Sequence, residues 1–155
     1  MGKVVVGVDA SPGSLRALEW ALEEARLRRA SLCVVHAWML PLIEALPEPW
    51  VVGSPSLGPS DDEVRSHVEA AARDVLSASV DRARSAAPEL EIVAELVEGR
   101  APVALLDAAG DADLLVVGSR GRGGFAGLLL GSVSGQCVHH AQCPVVVVPE
   151  KPASA

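Results

Sequence analysis

Four glycines fall within seven positions, Gly118, Gly121, Gly123 and Gly124, and Gly131 follows with Ser132 behind it. Backbone without Cβ atoms turns sharply and can offer its N–H groups to an anion at close range. The apolar run Leu114-Leu115-Val116-Val117 leads straight into the cluster, and Arg120 and Arg122 sit between its glycines. Guanidinium donors beside exposed amides suit phosphate oxygens. Beyond the cluster, Val133, Cys137 and Ala141 recur at i, i+4 and i+8. That spacing predicts a helix starting at Ser132, its unpaired N–H groups and positive dipole end aimed back at the glycines. Ser132 could cap that helix or give its hydroxyl to a phosphate oxygen.

Two familiar phosphate loops are excluded. The P-loop of common ATPases needs Gly-Lys-Ser/Thr, but the only lysines are Lys3 and Lys151, far from the cluster. The dinucleotide fingerprint opens the first βα turn of its fold, whereas these glycines come late.

The elements that must position the cluster follow from patterning. Val4-Val5-Val6-Gly7-Val8 is a continuous run suited to a strand covered on both faces. Ser11-Pro12 then offers a helix cap and a first-turn proline, with Leu15, Leu18, Leu22 and Ala25 at helical spacing. Leu32-Cys33-Val34-Val35 is a second strand, ending at His36-Ala37-Trp38. Residues 39–60 hold five prolines and two glycines, a composition without regular structure, and such a loop is expected to act as a lid. Ser60-x-x-Glu63 is a capping box before a long helix through Val64, Val68, Ala71, Val75 and Ser79. Residues 91–97 alternate as a strand whose charges suggest an edge position. A short helix through Val103, Leu106 and Ala109 precedes the strand of residues 114–117, and Val145-Val146-Val147-Val148 closes the series between prolines. Alternating β and α predicts one α/β domain over residues 1–150, a doubly wound parallel sheet of five strands with helices on both faces and a loose tail at 151–155. Ligands of such folds sit beyond the carboxyl ends of the strands, where strand order reverses.

Composition narrows the partners. A net charge of −7, one Phe and no Tyr argue against nucleic acid, which asks for a basic face and, for single strands, aromatic platforms. No apolar run approaches the length that crosses a bilayer. An odd count of three cysteines and no signal-peptide pattern predict a cytoplasmic chain with reduced thiols.

Gly118-x2-Gly121-x9-Gly131-Ser132 resembles the nucleotide-binding pattern of the universal stress protein family, ATP-binding type. Gly7-Val8-Asp9-Ala10-Ser11, Val35-His36-Ala37, Leu130-Gly131-Ser132-Val133-Ser134 and His140-Ala141-Gln142-Cys143-Pro144-Val145 extend the resemblance over almost the whole chain. The resemblance implies strand order 3-2-1-4-5, with the reversal between the first and fourth strands, where Asp9 and Gly118 lie. It implies ATP and Mg²⁺ as ligands, held by Gly7 and Asp9, by Ala37 reading the adenine edge through its backbone, by Gly118, Ser119, Arg120, Gly121, Arg122, Gly123 and Gly124, and by Gly131, Ser132, Val133 and Ser134. Asp9 could instead, or also, cap the Ser11-Pro12 turn. The resemblance further implies a homodimer joined through the last strand, Val145 to Val148, an apolar edge that pairing would cover.

Competing chemistry is less well supplied. Cys137, His139, His140 and Cys143 lack a C-x-x-C half-site, and Cys137 shares the apolar stripe of its helix, so burial is expected rather than zinc. His36 reads as a packed histidine, and Trp20, Trp38 and Trp50 as packing residues. The expected function is a nucleotide-dependent stress-response or regulatory module; the alternative is a slow ATP hydrolase or phosphotransferase, for which no general base stands beside the loop.

Overall fold

The computed structural model describes residues 1–41, 60–121 and 129–150. Strand β1 (Lys3–Gly7) is built on Val4, Val5 and Val6, all without exposed surface, because both sheet faces are covered there. Helix α1 (Pro12–Arg28) starts where Ser11 Oγ accepts from Ser14 N at 3.2 Å and Pro12 occupies the first turn. It ends at Arg29, whose left-handed φ of 54° turns the chain toward β2 (Ser31–Trp38). Helix α2 (Asp61–Ala86) begins on the expected capping box, Ser60 and Glu63 each bonding the other's backbone N–H. Strand β3 (Ile92–Glu98), helix α3 (Ala101–Ala108), strand β4 (Leu114–Gly118), helix α4 (Ser132–His140) and strand β5 (Val145–Val148) complete the order.

The sheet is parallel throughout, in the order β3-β2-β1-β4-β5, as expected. Right-handed crossovers decide which face each helix takes. The steps from β1 to β2 and from β2 to β3 run one way, so α1 and α2 share a face and bury Leu18, Leu22, Leu76 and Val80 against Val4, Val6, Leu32 and Val34. The crossover from β3 to β4 and the step to β5 run the other way, so α3 and α4 bury Leu105 and Cys137 against Val5, Cys33, Leu115 and Val117. At the β1–β4 junction the chain leaves toward opposite faces, and a crevice opens at the carboxyl ends of the strands.

Several stripes differ in phase from the expectation. Helix α2 buries Ala72, Leu76, Ser79, Val80 and Ala83, while Ala71 faces solvent. Helix α3 buries Pro102, Ala104 and Leu105 and leaves Val103 half exposed. Trp38 is buried with the Arg65 guanidinium 5.8 Å from its ring centroid, and Trp20 is 38% exposed; Trp50 lies outside the described residues. So do Arg122, Gly123 and Gly124, most of the proline-rich stretch and the tail at 151–155. All three cysteines are free thiols; burial pushes Cys33 up to about 12 and Cys137 up to about 11. Among the described residues no helix is long and apolar enough to cross a membrane.

Candidate functional site

The crevice is a cleft of about 580 Å³, counting its open mouth. Each wall is the end of an element. From β1 come Gly7, Val8 and Asp9; from the start of α1, Ser11 and Ser14; from β2, Val35, His36 and Ala37. The far wall holds Val117, Gly118, Arg120 and Gly121 after β4, Gly131, Val133 and Ser134 at the start of α4, and Ala101 and Leu105 of α3.

Asp9 follows β1 and folds back on itself. Its Oδ1 accepts from Ser11 N at 2.9 Å and from Ser11 Oγ, and its own N donates to Ser14 Oγ at 3.2 Å. Ala10 between them takes a left-handed φ of 64°, a conformation costing roughly 1–2 kcal/mol that this set of bonds holds in place. The turn-capping role weighed for Asp9 is thus filled by its Oδ1. Gly121 lies against the same carboxylate: a Cβ there would stand 2.6 Å from Asp9 Oδ2, so any other residue at 121 forces the carboxylate to shift.

Ser119 brings the two halves of the glycine pattern together. Its N donates to Val148 O at 2.9 Å, and its carbonyl accepts from Gly131 N at 2.7 Å and from Ser134 Oγ at 2.8 Å. Gly131 and Ser134 thereby lie beside Ser119, and α4 points its N-terminus at the end of β4. Ser119 itself is buried and braces this closure rather than lining the cleft. The cap of α4 is Gly131 and not Ser132, which is the first helical residue. Ser132 is exposed, accepts from Gln136 Nε2 at 3.2 Å and is also outside the cleft wall. The helical ladder begins with Gly135 N to Gly131 O at 2.9 Å, so the N–H groups of Ser132, Val133 and Ser134 precede it.

Ala37 gains its significance from register. Ser31 N donates to Gly2 O and Val8 N to Val35 O, both at 2.9 Å, so the odd-numbered residues of β2 turn their backbone groups toward β1. Gly7 pairs with Val35 at the end of β1. The N–H and C=O of Ala37 therefore face the space that β1 has vacated.

Sequence reasoning missed part of the wall. Ser14 lies one turn beyond the Ser11 cap, and Ala101 and Leu105 belong to a helix that touches the cleft only because its crossover returns over β1. His36 was expected to be packed, and its Nδ1 does donate to Val8 O at 2.7 Å; it also lines the cleft. Arg120 pairs with Glu150, Nη2 to Oε2 at 3.0 Å.

Comparison with known proteins accords with this architecture. The family model described as Universal stress protein family matches residues 1–149. A universal stress protein of Mycobacterium tuberculosis is 37% identical over 145 residues, covering 94% of this chain and 46% of the relative. One of Mycobacterium bovis is 35% identical over 168 residues, covering 98% and 49%. The chain thus spans about half the length of the curated relatives it matches. Among solved structures, UspA from Lactobacillus plantarum shares the fold with a TM-score of 0.75 at 22% identity, over 95% of this chain and 97% of that one. A universal stress protein in complex with cAMP gives 0.65 at 31% identity over 95% and 96%, and one from Archaeoglobus fulgidus in complex with dAMP gives 0.63 at 26% over 96% and 98%. With a family match that runs from the first residue to the end of the last strand, this chain belongs to the universal stress protein family.

Proposed function

We propose that the cleft binds an adenine nucleotide, ATP with Mg²⁺, and that the protein works as a nucleotide-dependent regulatory module. The observation that carries the reading is the placement of Ala37: a backbone donor and acceptor side by side, facing the cleft, match the N1 acceptor and N6 donor of adenine. Guanine presents the opposite pattern. Helices α1, α3 and α4 all begin at the cleft, and their positive ends favour the phosphates. The cAMP and dAMP bound by two similar proteins belong to the same ligand class.

The residues present fit the group. The Gly121–Asp9 contact is a cradle that a Cβ would fill, and the α4 amides of Ser132, Val133 and Ser134 precede the helical ladder beside it. Among the described residues no three His, Cys, Asp or Glu side chains gather to hold a metal. Mg²⁺ would therefore rest on Asp9 and on the nucleotide's own oxygens, where it would neutralise phosphate charge. The same reading extends to a homodimer through β5, one of the sheet's two edge strands.

Competition between ATP and GTP for a fluorescent adenine nucleotide tests the base assignment. ATP is expected to displace the probe at least tenfold more effectively; equal displacement by GTP would remove the role of Ala37. Turnover of bound ATP below the enzymatic range of about 1 to 1000 per second accords with a binding module, and turnover within it would favour the hydrolase reading.

A further inference from the structure

We propose that Glu150 sets the charge preference of the cleft by holding Arg120 in reserve, so that a nucleoside polyphosphate recruits Arg120 and a ligand with a single phosphate charge does not. The inference rests on the adenine-nucleotide reading and names the class of nucleotide that the site selects. Arg120 lines the cleft, yet its Nη2 lies 3.0 Å from Glu150 Oε2. The two side chains are 30% and 38% exposed, so solvent screens the pair and the contact is weak. A chain of phosphates offers several anionic oxygens and a bidentate partner for the guanidinium, which an exposed carboxylate at one end of β5 does not match. A cyclic monophosphate, with one charge, offers Arg120 little more than Glu150 already does.

Glu150 is poised at this junction by the fold. Its N donates to Ser119 Oγ at 3.4 Å, one residue before Arg120 and one after the strand-ending Gly118. Its Cγ and Oε1 lie 3.6 Å from where a Cβ on Gly13 would stand, at the first turn of α1, and Arg120 O lies 2.9 Å from the same point. The carboxylate thus sits between the start of α1 and the phosphate side of the cleft, two residues past the end of β5. Recruitment of Arg120 by a polyphosphate would free Glu150 and so couple the ligand's charge to the end of the last strand, and the coupling must act in both directions.

Calorimetry with ATP and with cAMP on the unsubstituted protein, Glu150→Gln, Arg120→Gln and the double variant tests this. Glu150→Gln is expected to tighten ATP about fivefold and to change cAMP less than twofold. Arg120→Gln should weaken ATP, and adding Glu150→Gln to it should restore nothing. Equal factors for ATP and cAMP in Glu150→Gln, or a gain that persists without Arg120, would overturn the proposal while leaving the nucleotide site intact. Absence of binding to the unsubstituted protein would instead overturn the site reading and this inference together. Hydrogen exchange at the Glu150 amide of the unsubstituted protein keeps the question open to test if a variant fails to fold. Saturating ATP should speed that exchange and saturating cAMP should not; the same exchange in both states would contradict the latch.

Discussion

Gly118 and Gly135 show two opposite reasons for a glycine. At Gly118 an added Cβ would stand 3.0 Å from the carbonyl carbon and oxygen of Gly13, and backbone cannot rotate aside as a side chain can. Gly118→Ala is expected to destabilise by about 1–3 kcal/mol. At Gly135, inside α4, nothing among the described residues lies within 4 Å of an added Cβ, so Gly135→Ala should stabilise by about 0.5–1 kcal/mol. Urea unfolding of both variants checks the pair, and equal signs would contradict the packing described at the β1–β4 junction. Sequence spacing marks glycines as a cluster but is silent on what each backbone approaches. The thiols yield a second residue-scale prediction. Cys33 and Cys137 titrate higher in the fold than the roughly 8.5 of a free thiol, because burial disfavours the thiolate. The folded state therefore keeps protons that the unfolded chain releases, so their contribution is whole below about pH 8.5 and declines as pH rises through the folded values of about 12 and about 11. Stability measured by urea unfolding from pH 8 to 11 should fall less steeply in Cys33→Ala than in the unsubstituted protein, whatever the variant's starting stability; an unchanged slope would contradict this.

Element boundaries were legible where a cap or a proline marks them, as at Ser11-Pro12 and Ser60-x-x-Glu63, because capping is local chemistry. The buried phase of a helix was less so. In α2 the valines at 64, 68 and 75 suggested one stripe, but the buried stripe runs through Ala72, Leu76, Val80 and Ala83. Alanine is as apolar as the close approach to β2 and β3 requires, and its small size, not its hydropathy, qualifies it for that face. The start of α4 at Ser132 was legible, but its cap was not: Ser132 is a good cap by type, yet Gly131 takes the cap position, its N–H donating to Ser119 O at 2.7 Å. The proposed dimer belongs to this scale. Val145, Val146 and Val147 are only half buried in β5. Val146→Lys places a charge on that strand and should give monomers in sedimentation, whereas an unchanged dimer would move the interface elsewhere.

For the whole molecule, β and α alternation was enough to anticipate the parallel sheet and the crevice at its reversal, since handed crossovers leave few ways to close such a chain. Strand order came only from the family resemblance, because periodicity is the same for a central strand and its neighbour. The share of α3 in the cleft was hidden for the same reason: Ala101 and Leu105 reach the cleft only because the crossover from β3 to β4 passes β2 and β1. The central claim, that this crevice holds an adenine nucleotide between Asp9, Ala37 and the glycine loop, is tested most directly by calorimetry with Mg-ATP on the unsubstituted protein and on Gly121→Val, with folding of the variant verified by circular dichroism. The account predicts saturable binding of one nucleotide per chain, weakened at least about 100-fold, or some 2.7 kcal/mol, in Gly121→Val, because the new side chain would occupy the space against Asp9 Oδ2. A folded Gly121→Val that binds Mg-ATP as tightly as the unsubstituted protein would contradict it.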